Sequence, residues 1–87
     1  MIFNGSRLIL NYSTSAVGRI RVEMQDPEGT PIPGFEEISC DEIYGDEISR
    51  IVSWGKNPDV SALSGRPVRL RFLLKDADLY SFRFTTE

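Results

Sequence analysis

The stretch "RLILNYSTSAVGRIRVEMQD", residues 7–26, alternates apolar and polar side chains on both sides of a short interruption. The apolar positions are Leu8, Leu10, Tyr12, Ile20, Val22 and Met24. A period of two residues is typical of a β-strand with one buried face. The interruption, "TSAVG", ends in Gly18, which can adopt a positive φ. The stretch therefore predicts an antiparallel hairpin that turns at residues 14–18.

The stretch "PVRLRFLLKDADLYSFRF", residues 67–84, repeats this pattern near the end of the chain. Its first apolar row is Val68, Leu70, Phe72 and Leu74, and its second is Tyr80, Phe82 and Phe84. Asp76-Ala77-Asp78 separates the two rows and predicts a second hairpin turn. Two apolar rows on one sheet face favour a buried core. The alternative is an aromatic platform for sugar rings, which requires the rings to face solvent.

The middle of the chain carries turn signals and weaker strand patterns. "DPEGTPIPG", residues 26–34, is rich in Pro and Gly and predicts a turn and sheet edge. The next apolar residues predict two short strands, Glu36–Cys40 and Ile48–Trp54, broken near Gly45.

A short helical turn is predicted just before the last strand pair. Asp59 is a candidate N-cap, Val60 to Leu63 form the turn, and Gly65 ends it before Pro67. With about six short strands and one helical turn, the predicted fold is an all-β, antiparallel β-sandwich of the jelly-roll kind, with residues 1–87 in a single domain.

Composition excludes several classes of function. The 87 residues contain no histidine, which rules out Ser-His-Asp and Cys-His catalysis and imidazole metal ligation. Cys40 is the only cysteine, so no internal disulfide or thiolate cluster can form, and a buried apolar role is predicted for it. The net charge of −3 and the lack of a long apolar run argue against nucleic-acid and membrane binding. We expect no cofactor.

Basic and acidic residues are segregated. Basic side chains project from the outward faces of the predicted strands, and Arg19, Arg21, Arg69, Arg71 and Arg83 form a candidate interaction face. Residues 36–47 hold six of the thirteen acidic residues. The two groups could compensate each other as a solvated surface. Alternatively, the arginine face could dock on an acidic partner or a neighbouring domain.

Trp54 is the best sequence candidate for contact with a sugar, because it ends a predicted strand and precedes a loop. Tyr44 and Asn57 could assist it, although a lone Trp is more often a core residue. The acids of "CDEIYGDE", residues 40–47, could offer oxygens to calcium, but their spacing matches no EF-hand loop and suits a solvated strand end. Two carboxylates across a cleft could hydrolyse a glycoside, which a domain of this size rarely accommodates. No catalytic or metal-binding residue is assigned.

Three connected phrases, "LNYSTSAVG", "VSALSGRPVRLRF" and "DADLYSF", carry a family resemblance that extends over almost the whole chain. The chain resembles the C-terminal β-sandwich region of large bacterial proteins that are glycosyl hydrolase-like or uncharacterised. Some of these are similar to the invertase and levanase group, in which a β-propeller carries the chemistry. "QDPEG" and "ISCDE" resemble the catalytic motifs of that group only in part and do not match them.

The resemblance implies a C-terminal, non-catalytic accessory module that packs against a larger, carbohydrate-active domain of the same chain. By this interpretation the module is not itself an enzyme. The alternative function is a carbohydrate-binding module that uses Trp54, Tyr44 and Asn57.

Overall fold

The computed structural model describes residues 1–86, which form one antiparallel sheet and two short 3-10 turns. The strands are β1 (Arg7–Gln25), β2 (Asp46–Ile51) and β3 (Arg69–Thr85). The 3-10 turns span Glu37–Ser39 and Ser61–Leu63. The strand order is β2-β1-β3, so the long strand β1 is central and β2 pairs with its residues 9–13.

The predicted six-stranded sandwich is wrong, because each predicted hairpin is one continuous strand. Residues 14–18 and 76–78 do not reverse the chain but lie opposite each other in the β1–β3 pairing. Thr14 pairs with Ala77 and Arg19 with Lys75, so residues 15–18 stand opposite Asp76 alone. A period of two cannot distinguish two short strands joined by a turn from one long strand interrupted by a bulge.

The sheet bends sharply at this bulge. A straight strand as long as β1 would extend about 60 Å, yet the longest dimension of the molecule is 35 Å. On β3, Phe72 and Phe82 would lie about 33 Å apart in an extended strand, but their ring centroids are 5.3 Å apart. Bending brings the two halves of one sheet face around a common core.

Gly18 permits the close approach of β1 to β3 at the bend. A Cβ atom at this position would lie 2.3 Å from the carbonyl oxygen of Asp76 and 2.8 Å from that of Lys75. Asp76 itself has a φ of 47°, in the left-handed region that Asp tolerates better than most residues. Gly18, from which a turn was predicted, is therefore needed for close contact between β1 and β3.

The inner face of the sheet is the face that carries the alternating apolar residues of β1. Their predicted burial is confirmed. They form one cluster with side chains that come mostly from the coil segments, and these are Phe3, Cys40, Ile43, Val52, Trp54, Val60, Leu63 and Val68. Coil segments, rather than a second sheet, therefore cover the inner face of β1.

Predictions for the connecting segments met mixed outcomes. Residues 26–34 contain the predicted turn, in which Asp26 Oδ1 accepts from the backbone N–H groups of Glu28 and Thr30 at 3.0 and 2.9 Å. The predicted strand Glu36–Cys40 is wrong, since this segment contains the first 3-10 turn. The predicted strand Ile48–Trp54 corresponds only in part to β2, which ends at Ile51.

The predicted helical turn before β3 is present as Ser61–Leu63. Asp59 Oδ1 accepts from the Ser61 N–H at 2.9 Å, close to its predicted capping role. Gly65 follows with a φ of 80°, and its N–H donates to the Phe3 carbonyl at 2.8 Å. This contact ties the N-terminal segment to the start of β3.

Candidate functional site

The second half of β1 has its far edge closed by coil rather than by a strand. Ile20 and Ile43 exchange backbone hydrogen bonds of 2.8 and 3.0 Å. Met24 donates to the Phe35 carbonyl and accepts from the Ile32 N–H, both at 3.0 Å. Backbone polar groups left unpaired in a buried strand are costly, so these contacts hold the coil against the sheet.

Val22 lies between Ile20 and Met24 on β1, and its backbone N–H and carbonyl bond to side chains rather than to backbone groups of the coil. Its N–H donates to Cys40 Sγ at 3.3 Å, and its carbonyl accepts from Trp54 Nε1 at 2.9 Å. Burial raises the pKa of the Cys40 thiol, which keeps the sulfur in its neutral form. Cys40 and Trp54 are therefore structural partners of the central strand, and the predicted burial of Cys40 is confirmed.

The three predicted sugar-contact residues do not form one exposed surface. Trp54 is only 4% exposed, and its ring meets that of Phe35 edge-on at 5.3 Å. Tyr44 is 63% exposed, and Asn57 is exposed while its backbone pairs with that of Trp54. With its ring in the core, Trp54 offers no face on which a sugar could stack.

Glu23 is a buried carboxylate on the outer face of β1, the face opposite the core. Its Oε1 accepts from Gln25 Nε2 at 2.7 Å, and its Oε2 accepts from the Glu37 N–H at 3.1 Å. Arg71 Nη1, on β3, lies 3.8 Å from Glu23 Oε1. The hydrogen bond from Gln25, followed by that from Glu37, lowers the pKa of Glu23. The carboxylate links the first 3-10 turn to the sheet.

We expect this carboxylate to make the stability of the protein depend on pH. Because its pKa is lower in the folded than in the unfolded chain, Glu23 adds stability above its ordinary pKa of 4.5 and loses it as the pH falls through the folded value. The Glu23→Gln variant should therefore lose less stability than the parent between pH 6 and about pH 3. Urea unfolding at a series of pH values measures the difference, and parallel curves for the two proteins would contradict it.

The five arginines of the predicted interaction face fall into two groups. Glu42 Oε2 lies 3.4 Å from Arg19 Nε and 3.1 Å from Arg21 Nη2. Glu37 Oε1 lies 3.8 Å from Arg21 Nη1. These ion pairs agree with the alternative in which basic and acidic groups compensate each other on a solvated surface. Exposed ion pairs contribute only about 0–1 kcal/mol each to the stability of the fold. Arg69, Arg71 and Arg83 lie instead on the outer face of β3. Within residues 1–86, neither Arg69 nor Arg83 has a carboxylate within ion-pair distance.

The aromatic row Tyr80, Phe82 and Phe84 is only partly in the core. Phe84 stacks on Phe3 with centroids 3.9 Å apart, whereas Phe82 is 41% exposed. The predicted burial of Tyr80 is wrong, because this side chain is 63% exposed. The β1–β3 register slips here, from Asn11 opposite Ser81 to Tyr12 opposite Leu79, and leaves Tyr80 without a partner. A single-residue bulge has no signal in the period-two pattern.

The acids of residues 40–47 are engaged by separate protein groups. Asp41 Oδ2 accepts from Ser53 Oγ at 2.6 Å and from the Lys56 N–H at 2.7 Å, and these bonds lower its pKa. Glu47 Oε2 accepts from Arg50 at 3.0 Å. The part of the chain that the structure describes contains no group of three or more potential metal ligands.

None of the helical turns in residues 1–86 is long and apolar enough to cross a membrane. Comparison with known proteins gave no match to a family model, a curated protein or a solved structure.

Proposed function

We propose that this chain is a non-catalytic accessory module that packs against a larger domain through β3. The supporting observation is a difference in burial between two neighbouring strands. The inner-face residues of β1 are almost fully buried, whereas on β3 Leu74 is 46% and Phe82 is 41% exposed. Leu70, Phe72 and Leu79 on the same row are only half-buried. The β3 side of the core has apolar surface left to cover.

The backbone of β3 supports the same proposal. β3 pairs with β1 along one edge, and no other strand of residues 1–86 pairs with its second edge, here called the open edge. A long strand with unpaired N–H and carbonyl groups is a template for pairing with another segment. Covering this edge would satisfy these groups and bury Leu74 and Phe82 at the same time.

The positive charge on the outer face of β3 indicates which kind of partner surface would bind there. Arg69, Arg71 and Arg83 flank the open edge from the outer face of β3, and Arg69 and Arg83 lack a carboxylate partner in the described part of the chain. An apolar surface rimmed by acidic side chains would complement both features. The partner that we propose is a larger domain of the same polypeptide, and the family resemblance favours a carbohydrate-active domain.

The proposal predicts that single substitutions on β3 weaken docking. The remainder of the polypeptide encoded by the same reading frame is mixed with this chain, and the dissociation constant is measured by calorimetry. We expect Leu74→Ser to raise it about tenfold, because the substitution removes apolar surface that docking would otherwise bury. Arg69→Glu should also weaken binding, by placing a like charge at the acidic rim.

Ile51→Ser is the matched control, since Ile51 has nearly the same exposure, 47% against 46% for Leu74, and lies on β2, which pairs with the opposite edge of β1. Its dissociation constant should equal that of the parent chain. The proposal fails if the reading frame encodes no further domain, or if Leu74→Ser and Arg69→Glu bind as tightly as the control.

A further inference from the structure

A groove of about 660 Å³ opens across the three strands beside the Tyr80 bulge. Its lining residues are Asn11, Tyr12, Ser13, Asp46, Glu47, Ile48, Ser49 and Tyr80. The volume lies within the range typical of small-molecule sites. Asn11 and Ser13 belong to the outer face of β1, so the groove is separate from the inner-face row of β3 that carries the docking proposal.

One wall of the groove is an aromatic ring that the fold leaves in water. Tyr80 is the residue without a partner in the β1–β3 pairing, and its side chain is 63% exposed. The bulge thus moves a ring from the predicted core row to the groove. An exposed ring with a polar end suits a ligand that has both apolar faces and hydroxyl groups.

The floor of the groove offers hydrogen-bonding groups. The side chains of Asn11 and Ser13 make no hydrogen bond to any group in residues 1–86, and Asn11 is half-buried. An amide can donate two hydrogen bonds and accept two, and a hydroxyl can do both. Ser49 Oγ, on the opposite wall, accepts only a long bond of 3.3 Å from Arg83. A ligand rich in hydroxyl groups could satisfy all three side chains.

The charges that line the groove argue against an anionic ligand and, less strongly, against a cation. The groove lining contains no lysine or arginine, and the carboxylates of Asp46 and Glu47 would repel an anion. Both carboxylates already accept hydrogen bonds, Asp46 from the Thr14 N–H at 3.2 Å and Glu47 from Arg50 at 3.0 Å. They are therefore less available to hold a cation. An uncharged ligand fits the groove best.

We propose that this groove binds a neutral oligosaccharide, with one sugar ring on Tyr80 and its hydroxyl groups bonded to Asn11 and Ser13. This site differs from the one predicted around Trp54, whose ring is buried. It also goes beyond the docking proposal, because binding to the groove requires neither the open edge of β3 nor a partner domain. The two proposals can therefore fail separately.

The test is an NMR titration of the whole 87-residue chain with neutral gluco-, fructo-, xylo- and manno-oligosaccharides of increasing length. We expect one class to give saturable shifts at the amides of Asn11, Ser13 and Tyr80. Tyr80→Ala should weaken this binding at least about tenfold, and Asn11→Ala should weaken it less, because the ring supplies the larger contact area.

Tyr44→Ala is the matched control, because Tyr44 has the same 63% exposure and does not line the groove. Its affinity should equal that of the parent, and unchanged thermal unfolding of Tyr80→Ala would show that this variant is folded. The proposal is overturned if no oligosaccharide of the panel shifts these amides, if Tyr44→Ala loses binding while Tyr80→Ala keeps it, or if inorganic phosphate binds the groove instead.

Discussion

Replacing Trp54 with alanine should lower the free energy of unfolding by about 4 kcal/mol. The substitution removes a large buried side chain from the core and also breaks the hydrogen bond from Nε1 to the Val22 carbonyl. The carbonyl then stays buried without a partner, which adds the cost of its lost hydration. Urea unfolding followed by circular dichroism measures the change.

Trp54→Phe separates the two contributions. This variant keeps an aromatic ring beside Phe35 but has no N–H donor, so we expect a smaller loss of about 1–3 kcal/mol. Tyr44→Ala, at an exposed site, serves as the control and should change stability by less than about 0.5 kcal/mol. A loss of under about 1 kcal/mol for Trp54→Ala would contradict the structural role given to this residue.

Replacing Gly18 with alanine should cost about 3 kcal/mol of stability. The added Cβ would overlap the Asp76 carbonyl oxygen at 2.3 Å, and the atoms it meets are backbone atoms of a paired strand that cannot turn aside as a flexible side chain could. The two strands would have to separate at the point where the sheet bends. Thermal and urea unfolding both report this change.

Val17→Ala is the natural control for Gly18→Ala, because Val17 is the preceding residue and its side chain is largely exposed. It should change stability by less than about 0.5 kcal/mol. If Gly18→Ala were as stable as the parent, the close approach of β1 to β3 at the bulge would not exist.

The alternation in β1 allowed its buried face to be predicted residue by residue, because side chains of a strand point to opposite faces in turn. The connection between strands could not be predicted in the same way. "TSAVG" and "DAD" each have the composition of a turn, and only their position opposite each other makes them two sides of one bulge. That juxtaposition is a tertiary contact, which no local pattern encodes.

The candidate sites show the same limit. Tyr80 was predicted to lie in the core and is exposed, whereas Trp54, a candidate for sugar contact with core packing as the alternative, is buried. The buried position of Trp54 depends on the hydrogen bond from its Nε1 to the Val22 carbonyl, a partner far away in sequence. Tyr80 is displaced by a shift of one residue in strand register. The segregation of basic and acidic residues along the chain indicated that the two groups could compensate each other, but it did not identify Arg19 and Arg21 as the arginines that pair with Glu42.

The two surfaces of this domain can be studied independently. The open edge of β3, with Leu74 and Phe82, is the surface proposed for docking, and the groove at Tyr80 is the surface proposed for sugar binding. A module that used both would hold a glycan at a fixed position relative to its partner domain. Leu74→Ser and Tyr80→Ala test these surfaces separately, since each changes one exposed side chain.

Hydrogen exchange of the β3 amides in the isolated chain is the most direct test of the open-edge claim on which the proposed function depends. Successive amides of an edge strand point alternately toward its neighbour and toward solvent. We therefore expect every second amide of β3 to be protected by β1 and the amides between them to exchange fast. Uniform protection along β3 at concentrations where the protein is monomeric would mean that the second edge is already paired, and would contradict both the three-stranded sheet and the docking proposal.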